Sequence, residues 1–331
     1  MATYYGTYGQ KVQYLASDPS DPQIGQVWYN STSAVLKVRQ DVVTNAWASG
    51  GNLGTARYSL GGAGTQTAAV IFGGFTPFPG GPTGATELYN GTSFSSNPNS
   101  MGTPRFQYAA SGTQTAALAF GGWAPGASTA TEKFNGSTFS PTGSLTTGRN
   151  FLAGCGTQTS TLAFGGSPDG GTTQSSASES FNGTSWTNTP SLNTARSTLG
   201  GAGASNTSAL AFGGSPVSQG TTTATESYSG TSWTTVNSLN TTRRNVMGAG
   251  TQTAALAFGG DAGAPPYVLQ SATELWNGTT WTSNPTGLAT ARGGGAPAGS
   301  QTSALCAGGG PGSVSEEWTG TQTLSRTVTV T

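Results

Sequence analysis

One phrase of this chain, GTQTAALAFGG, occurs twice without change, at Gly112–Gly122 and Gly250–Gly260. Looser copies stand at Gly64–Gly74, Gly156–Gly166, Ala204–Gly214 and Gly299–Gly309. An arginine precedes each copy (Arg57, Arg105, Arg149, Arg196, Arg243, Arg292) and a glutamate follows it (Glu87, Glu132, Glu179, Glu226, Glu274, Glu316). The arginines recur every 44 to 49 residues. A period of that length, built from short strand signals, is the signature of a β-propeller, in which each repeat is one sheet that cannot bury its faces alone. The reading is therefore all-β, one closed array rather than two ordinary domains, although 331 residues would suit either.

The first repeat shows the expected four strands, a to d. Strand a follows Arg57 and is glycine-rich (SLGGAG), as an inner strand must be where neighbouring sheets crowd an axis. Strand b, AAVIF, is continuously apolar and so buried on both faces. Strand c is ATELY, and strand d centres on Phe94, replaced by Phe139, Trp186, Trp233 and Trp281 in later repeats. A large aromatic at that outer position fills the widening gap between sheets. The c–d turns carry Asn-Gly at Asn90, Asn135, Asn182 and Asn277, the pair preferred where both central residues need positive φ. That accounts for these N-x-[ST] sequences without invoking a sugar.

Because strands alternate in direction, a–b and c–d turns share one face and b–c loops the other. The turn face is nearly invariant. The b–c loops differ in length and carry aromatics of exposed type, Phe75, Phe78, Trp123 and Tyr267, together with Asp169 and Asp261. Variable loops on a rigid scaffold are where function usually resides. Flat apolar rings beside hydroxyls and amides suit stacking on a sugar or packing on a protein, so these six residues are the candidate contacts.

Residues 1–25 read as an arm and linker, rich in Tyr4, Tyr5, Tyr8 and Tyr14 and then in Asp and Pro. Residues 26–331 read as the propeller: a hairpin and outer strand over 26–50, six repeats over 57–320, and a closing strand over 321–331. Trp47 precedes Arg57 by ten residues, the spacing of Trp186 to Arg196 and Trp233 to Arg243. The hairpin, the Trp47 strand and the alternating SRTVTVT (Ser325–Thr331) are expected to assemble a seventh sheet and close the ring, leaving no free edges. A six-membered ring is the alternative.

Charged residues make up 7% of the chain, cancel to zero, and include no His. Such a surface lacks the basic footprint of a nucleic-acid binder, and no apolar run approaches the length of a membrane span. No secretory leader is visible. Cys155 and Cys306, in the third and sixth repeats, are expected to be separate buried thiols. Equal numbers of Arg and Glu in equal register suggest a pairing belt between blades rather than an anion-binding ring, since an unpaired buried charge is costly. Without His there is no His-based triad and no His-ligated metal, and a glycosidase pair would have to come from Asp169 and Asp261. The expectation is no enzyme, no cofactor and no metal.

Taken together, the apolar strand ending in Gly-Gly, the aromatic on the next strands and the Arg opening each following repeat resemble the kelch-type β-propeller over residues 57 to about 320. The wording GTQTAALAFGG…ATE.YNGTSWT…LNTAR is similar to kelch-like proteins of marine, cyanophage-like bacteriophages, and DPSDPQIGQVWYNSTSAVLKVR resembles hairpin modules of phage tail and fibre proteins. The resemblance implies a virion protein on the tail or particle surface, held to other virion proteins through its N-terminal arm. It would bind a host-surface polysaccharide or protein, or act as a purely structural decoration or tail-tip subunit.

Overall fold

The computed structural model describes residues 12–23, 25–42, 44–263, 266–310 and 312–328. Among them every regular element is a strand, and the strands form seven four-stranded sheets. Two compact units emerge. One comprises Ala46–Trp318, and the other the chain up to Asn45 together with Thr319 onward.

The larger unit holds six sheets, an arrangement consistent with a β-propeller. In the first repeat the strands are Gly61–Gly64, Ala69–Phe72, Thr86–Tyr89 and Phe94–Asn97, paired antiparallel in sequence order. Strand b is buried along its whole length, whereas strand a alternates. Alternation follows from crowding on the axial side: a Cβ on Gly154 would lie 2.3 Å from the Phe120 ring of the preceding sheet, so nothing larger fits.

Three sets of contacts join neighbouring sheets. The outer aromatic packs against the strand-b phenylalanine of the preceding sheet, as with Trp186 on Phe120 (ring centroids 5.0 Å apart) and Trp281 on Phe212 (5.0 Å). Its indole N–H then donates to a strand-c hydroxyl of that sheet, Trp186 to Thr131 at 3.0 Å and Trp281 to Thr225 at 3.1 Å. In five of the six repeats a glutamine of the a–b turn reaches back to strands b and c of the preceding sheet. Gln158 Nε2 donates to the carbonyls of Ala117 (2.9 Å) and Phe134 (2.7 Å), and Gln66 does the same to Ala304 and Trp318. At the axial side, the residue two after each repeat arginine sits at positive φ: Ser59, Gln107, Phe151, Thr198, Asn245 and Gly294. Each donates its N–H to the carbonyl of the one before, and Ser59 donates to Gly294 at 2.7 Å, so the six form a closed hydrogen-bonded circuit.

The sixth repeat corrects two expectations. It is not complete: it supplies only Ala296–Gly299, Ser303–Ala307 and Ser315–Thr319, and its fourth strand is Ala46–Ser49. No Asn-Gly turn and aromatic strand follow Trp318 in the sequence, which leaves that outer edge open. Trp47 occupies the place of the other outer aromatics, 4.8 Å from Phe258, with its indole N–H on Thr273 Oγ1 at 2.9 Å. The ten-residue spacing thus identified an outer strand, but the sheet is the sixth repeat's, not one shared with the hairpin.

The smaller unit is a separate sheet. The hairpin Val27–Asn30 and Val35–Val42 pairs antiparallel with itself, and Gln322–Val328 pairs antiparallel with its second strand. The fourth member is Gln13–Leu15, parallel to Val27–Asn30, where the sequence suggested an extended arm. Asp18 ties the sheet together, accepting from Trp28 Nε1 (3.0 Å), Asn30 Nδ2 (2.7 Å) and Lys37 Nζ (2.6 Å). Hydrogen bonds from Lys37, Asn30 and Trp28 bring its carboxyl down to about 2. Residues 26–45 and 319–328, grouped by sequence with the propeller, therefore lie in this unit. Tyr4, Tyr5 and Tyr8, like the last three residues, lie outside the described residues.

Candidate ligand-binding face

Two positions build the loop face. One is the residue after each repeat arginine, and the other is the first residue of the b–c loop, just past Gly-Gly. In every repeat the two are bridged by backbone: Tyr58 with Phe75, Phe106 with Trp123, Asn150 with Ser167, Ser197 with Ser215, Arg244 with Asp261, Gly293 with Gly310. Most of these rungs carry reciprocal N–H···O bonds of ordinary length, such as Ser197 to Ser215 at 3.0 Å and back at 2.8 Å. The second glycine of each Gly-Gly makes the rung possible; at Gly74, with φ 97°, a Cβ would lie 2.9 Å from the Tyr58 carbonyl. One backbone device, six times over, thus displays ring with ring, hydroxyl with amide or hydroxyl, cation with anion, and glycine with glycine.

The aromatic rungs make a groove. Phe75 lies edge-on to Phe106 (5.0 Å) and tilted against Tyr58 (5.5 Å). With Trp123, Pro82, Pro104 and Pro125, Phe75 and Phe106 line a largely apolar depression of about 560 Å³, and Tyr58 stands outside that lining. Phe78, at the tip of the first loop, is 97% exposed and lies outside that lining.

A second, polar cleft of about 280 Å³ lies among the loops of the third, fourth and fifth repeats. Tyr267, half exposed, stands in its wall with the Arg244 guanidinium over its ring at 5.0 Å. Asp261 is not a free ligand group. It is buried and accepts from Arg244 Nε (2.8 Å), Asn245 Nδ2 (2.6 Å) and the Gly263 N–H (2.9 Å). Asp169 is exposed but spent on its own loop, accepting from Ser167 Oγ (2.9 Å) and the N–H groups of Thr172 (3.1 Å) and Thr173 (2.8 Å). Those bonds, from Thr173 foremost and then Ser167 and Thr172, bring its carboxyl down to about 2. Neither aspartate is placed as a general acid.

The sequence-derived contact residues therefore divide. Phe75 and Trp123 meet in the groove and Tyr267 lines the cleft, with Asp261 buried behind Arg244; Phe78 stands alone, and Asp169 shapes a loop between the two. Sequence reasoning passed over Tyr58, Phe106, Phe151 and Arg244. The signal was present: with the repeats aligned on their arginines, the two positions after the fixed Arg vary from Tyr-Ser to Phe-Gln, Asn-Phe, Ser-Thr, Arg-Asn and Gly-Gly.

The twelve repeat charges lie elsewhere. Each arginine is buried and bonded to the glutamate of its own repeat, which corrects the expected pairing between neighbouring blades: Arg57–Glu87 at 2.7 Å, Arg105–Glu132 at 2.6, Arg149–Glu179 at 2.8, Arg196–Glu226 at 2.9, Arg243–Glu274 at 2.8 and Arg292–Glu316 at 2.6 Å. The glutamate's second oxygen accepts a backbone N–H from the chain entering the sheet, Thr146 on Glu179 at 2.6 Å for instance. The pair thus fastens strand c to the connection arriving from the preceding sheet. Burial pushes the Arg149, Arg196 and Arg243 guanidinium groups down from their ordinary value, opposed by the partner glutamate. None of the six lines the axial cavity of about 190 Å³, whose walls are the inner strands and the hydrogen-bonded circuit. Cys155 and Cys306 are free and buried, and burial pushes both thiols up to about 12. Among the described residues no group of three or more His, Cys, Asp or Glu is placed to hold a metal.

No family model and no curated protein matches the chain. Among solved structures it is similar to that of YjhT, with a TM-score of 0.64 and 12% identity, over 85% of this chain and 97% of that one. At that identity the likeness concerns the fold.

Proposed function

We propose that this chain is a non-enzymatic bacteriophage virion protein whose six-bladed, kelch-type propeller attaches to the host surface, with the smaller sheet and the N-terminal arm joining it to other virion proteins. The observation that carries this reading is the division of labour between the faces. Turn-face glutamines are spent on neighbouring sheets, and the repeat charges are spent on one another. The loop face instead repeats one backbone rung with six different side-chain pairs, and residues of four of these rungs line two clefts. A scaffold that holds its frame constant while varying one face is suited to recognition. Catalysis finds no support in the carboxylates, since Asp169, Asp261 and the six glutamates are all committed to structural partners.

The polar cleft favours a glycan. The apolar groove and the exposed Phe78 favour a protein, which in a purely structural subunit would be another virion component. The test is saturable binding of the purified protein to intact candidate host cells and to their isolated surface polysaccharide, beside a Trp123→Ala, Tyr267→Ala variant. Binding that falls at least about tenfold in a folded variant supports attachment through this face. Absence of binding by the folded wild type to every cell and polysaccharide preparation would overturn attachment.

A further inference from the structure

We infer that the polar cleft of the third to fifth repeats is a subsite for an uncharged sugar ring, stacked on Tyr267 and held through its hydroxyls by Arg244. This rests on the attachment reading and names the ligand class and the atoms that would meet it.

The argument begins with what is left unspent. Arg244 uses Nε on Asp261; its two Nη groups have no hydrogen-bond partner among the described residues. Asn245 uses Nδ2 on the same carboxylate, so its Oδ1 is likewise uncommitted. The cleft is also lined by Ser218 and Gln219, both exposed and with no side-chain hydrogen bond among the described residues. A forked pair of donors, an amide acceptor and a hydroxyl converging beside an aromatic face match a pyranose, which offers vicinal hydroxyls on its rim and C–H groups on its face. Asp261 fixes Arg244 in place from behind, so the fork is aimed before a ligand arrives and less entropy is lost on binding.

Size and charge narrow the class. About 280 Å³ is near the ~300 Å³ lower limit of small-molecule sites, room for one sugar ring rather than a chain. The Arg244 charge is matched by Asp261, and the Asp169 carboxylate heads the loop whose Gly170–Thr172 segment forms the opposite wall. The cleft therefore has no surplus positive charge. A carboxylated or sulfated sugar would meet one guanidinium and two carboxylates, whereas a hydroxyl accepts from the Nη groups without that repulsion. Gly170 and Gly171 keep this wall low. Trp123 touches the loop at Gly170 and the Phe151 ring lies beneath Gly171, which leaves the Tyr267 side open.

The experiment is a panel of soluble oligosaccharides, with neutral members built from glucose, galactose, mannose or N-acetylglucosamine and acidic members carrying uronate or sulfate. Binding is measured to the full chain and to three variants. Tyr267→Ala removes the stacking face at an exposed site. Arg244→Lys keeps a cation beside Asp261 but loses the fork, and Phe75→Ala alters only the groove, since Phe75 lines none of the cleft. The expected result is binding of at least one neutral sugar, weakened about tenfold or more by the first two variants and unchanged by the third. It should also be insensitive to salt between about 0.1 and 1 M.

Binding confined to acidic sugars, or lost in Phe75→Ala but not in Tyr267→Ala, would overturn the subsite while leaving host attachment standing. Binding of host cells with no member of the panel bound, and unaffected by Tyr267→Ala, would do the same. Loss of all cell binding along with all sugar binding would overturn both.

Discussion

The turn face and the loop face of the propeller solve opposite problems with the same repeat. On the turn face Gln66, Gln114, Gln158, Gln252 and Gln301 each reach the same two strands of the sheet before them. In the fourth repeat Asn206, a methylene shorter, still reaches Phe181 O at 3.3 Å and Ser180 Oγ at 2.8 Å. On the loop face the rung from Tyr58–Phe75 round to Gly293–Gly310 keeps its backbone bonds and changes its side chains at every step. Sameness is imposed where a side chain must satisfy buried partners on the adjacent sheet, because any change there leaves carbonyls unpaired. Difference is tolerated where the backbone does the joining and the side chain has no fixed partner on the adjacent sheet to satisfy.

Breaking the frame should therefore cost stability in proportion to the charge left stranded. Glu179→Ala is expected to have the largest effect. It leaves Arg149 buried without its counter-charge and the Thr146 N–H without its acceptor, a loss of about 3–5 kcal/mol. Thermal or denaturant unfolding would measure it, and an unaltered melting temperature would show that the belt does not hold the sheets. Gln158→Ala comes next. It strands two partly buried carbonyls, on Ala117 and Phe134, with an expected loss of about 1–3 kcal/mol. Sugar and cell binding by the folded fraction should be unchanged in both variants. Weaker binding by either one would mean that the two faces are not independent.

The comparison also explains what could be read without coordinates. The Arg and Glu were legible because equal numbers in equal register have few arrangements other than pairing. The strand order within a repeat was legible from Gly-rich, apolar and aromatic segments in fixed succession. Trp47 was recognisable as an outer aromatic by its spacing, but its sheet was not, since any sheet lacking a fourth strand could take it; the decisive fact was the missing Asn-Gly turn after Trp318. The glutamine clamps were hidden because GTQT is adequately explained as a turn, and turn chemistry says nothing about what its side chain touches next door. Arg244 was hidden by its neighbour: the doublet Arg243–Arg244 reads as one structural charge plus a spare. Only the rung to Asp261, seventeen residues on, turns the spare into a positioned fork.

The smallest effect separates local order on the loop face from the stability of the frame. Asp169 organises residues 167–173 through its carboxylate, and those hydrogen bonds lower its pKa from an ordinary 3.8 to about 2. A depressed carboxyl pKa stabilises the folded loop above the unfolded value, near 3.8, and that contribution is lost as pH falls through about 2. The backbone amide resonances of Thr172 and Thr173, which donate to this carboxylate, should therefore titrate with a midpoint near 2, while amides of strand b stay still. In Asp169→Asn the titration should vanish and the melting temperature should hardly move. A midpoint close to 3.8 would mean that the carboxylate is solvated rather than bonded. A large fall in melting temperature in Asp169→Asn would instead make this loop part of the frame. The clean separation between a constant scaffold and a locally organised loop face would then fail at the wall that divides the two clefts.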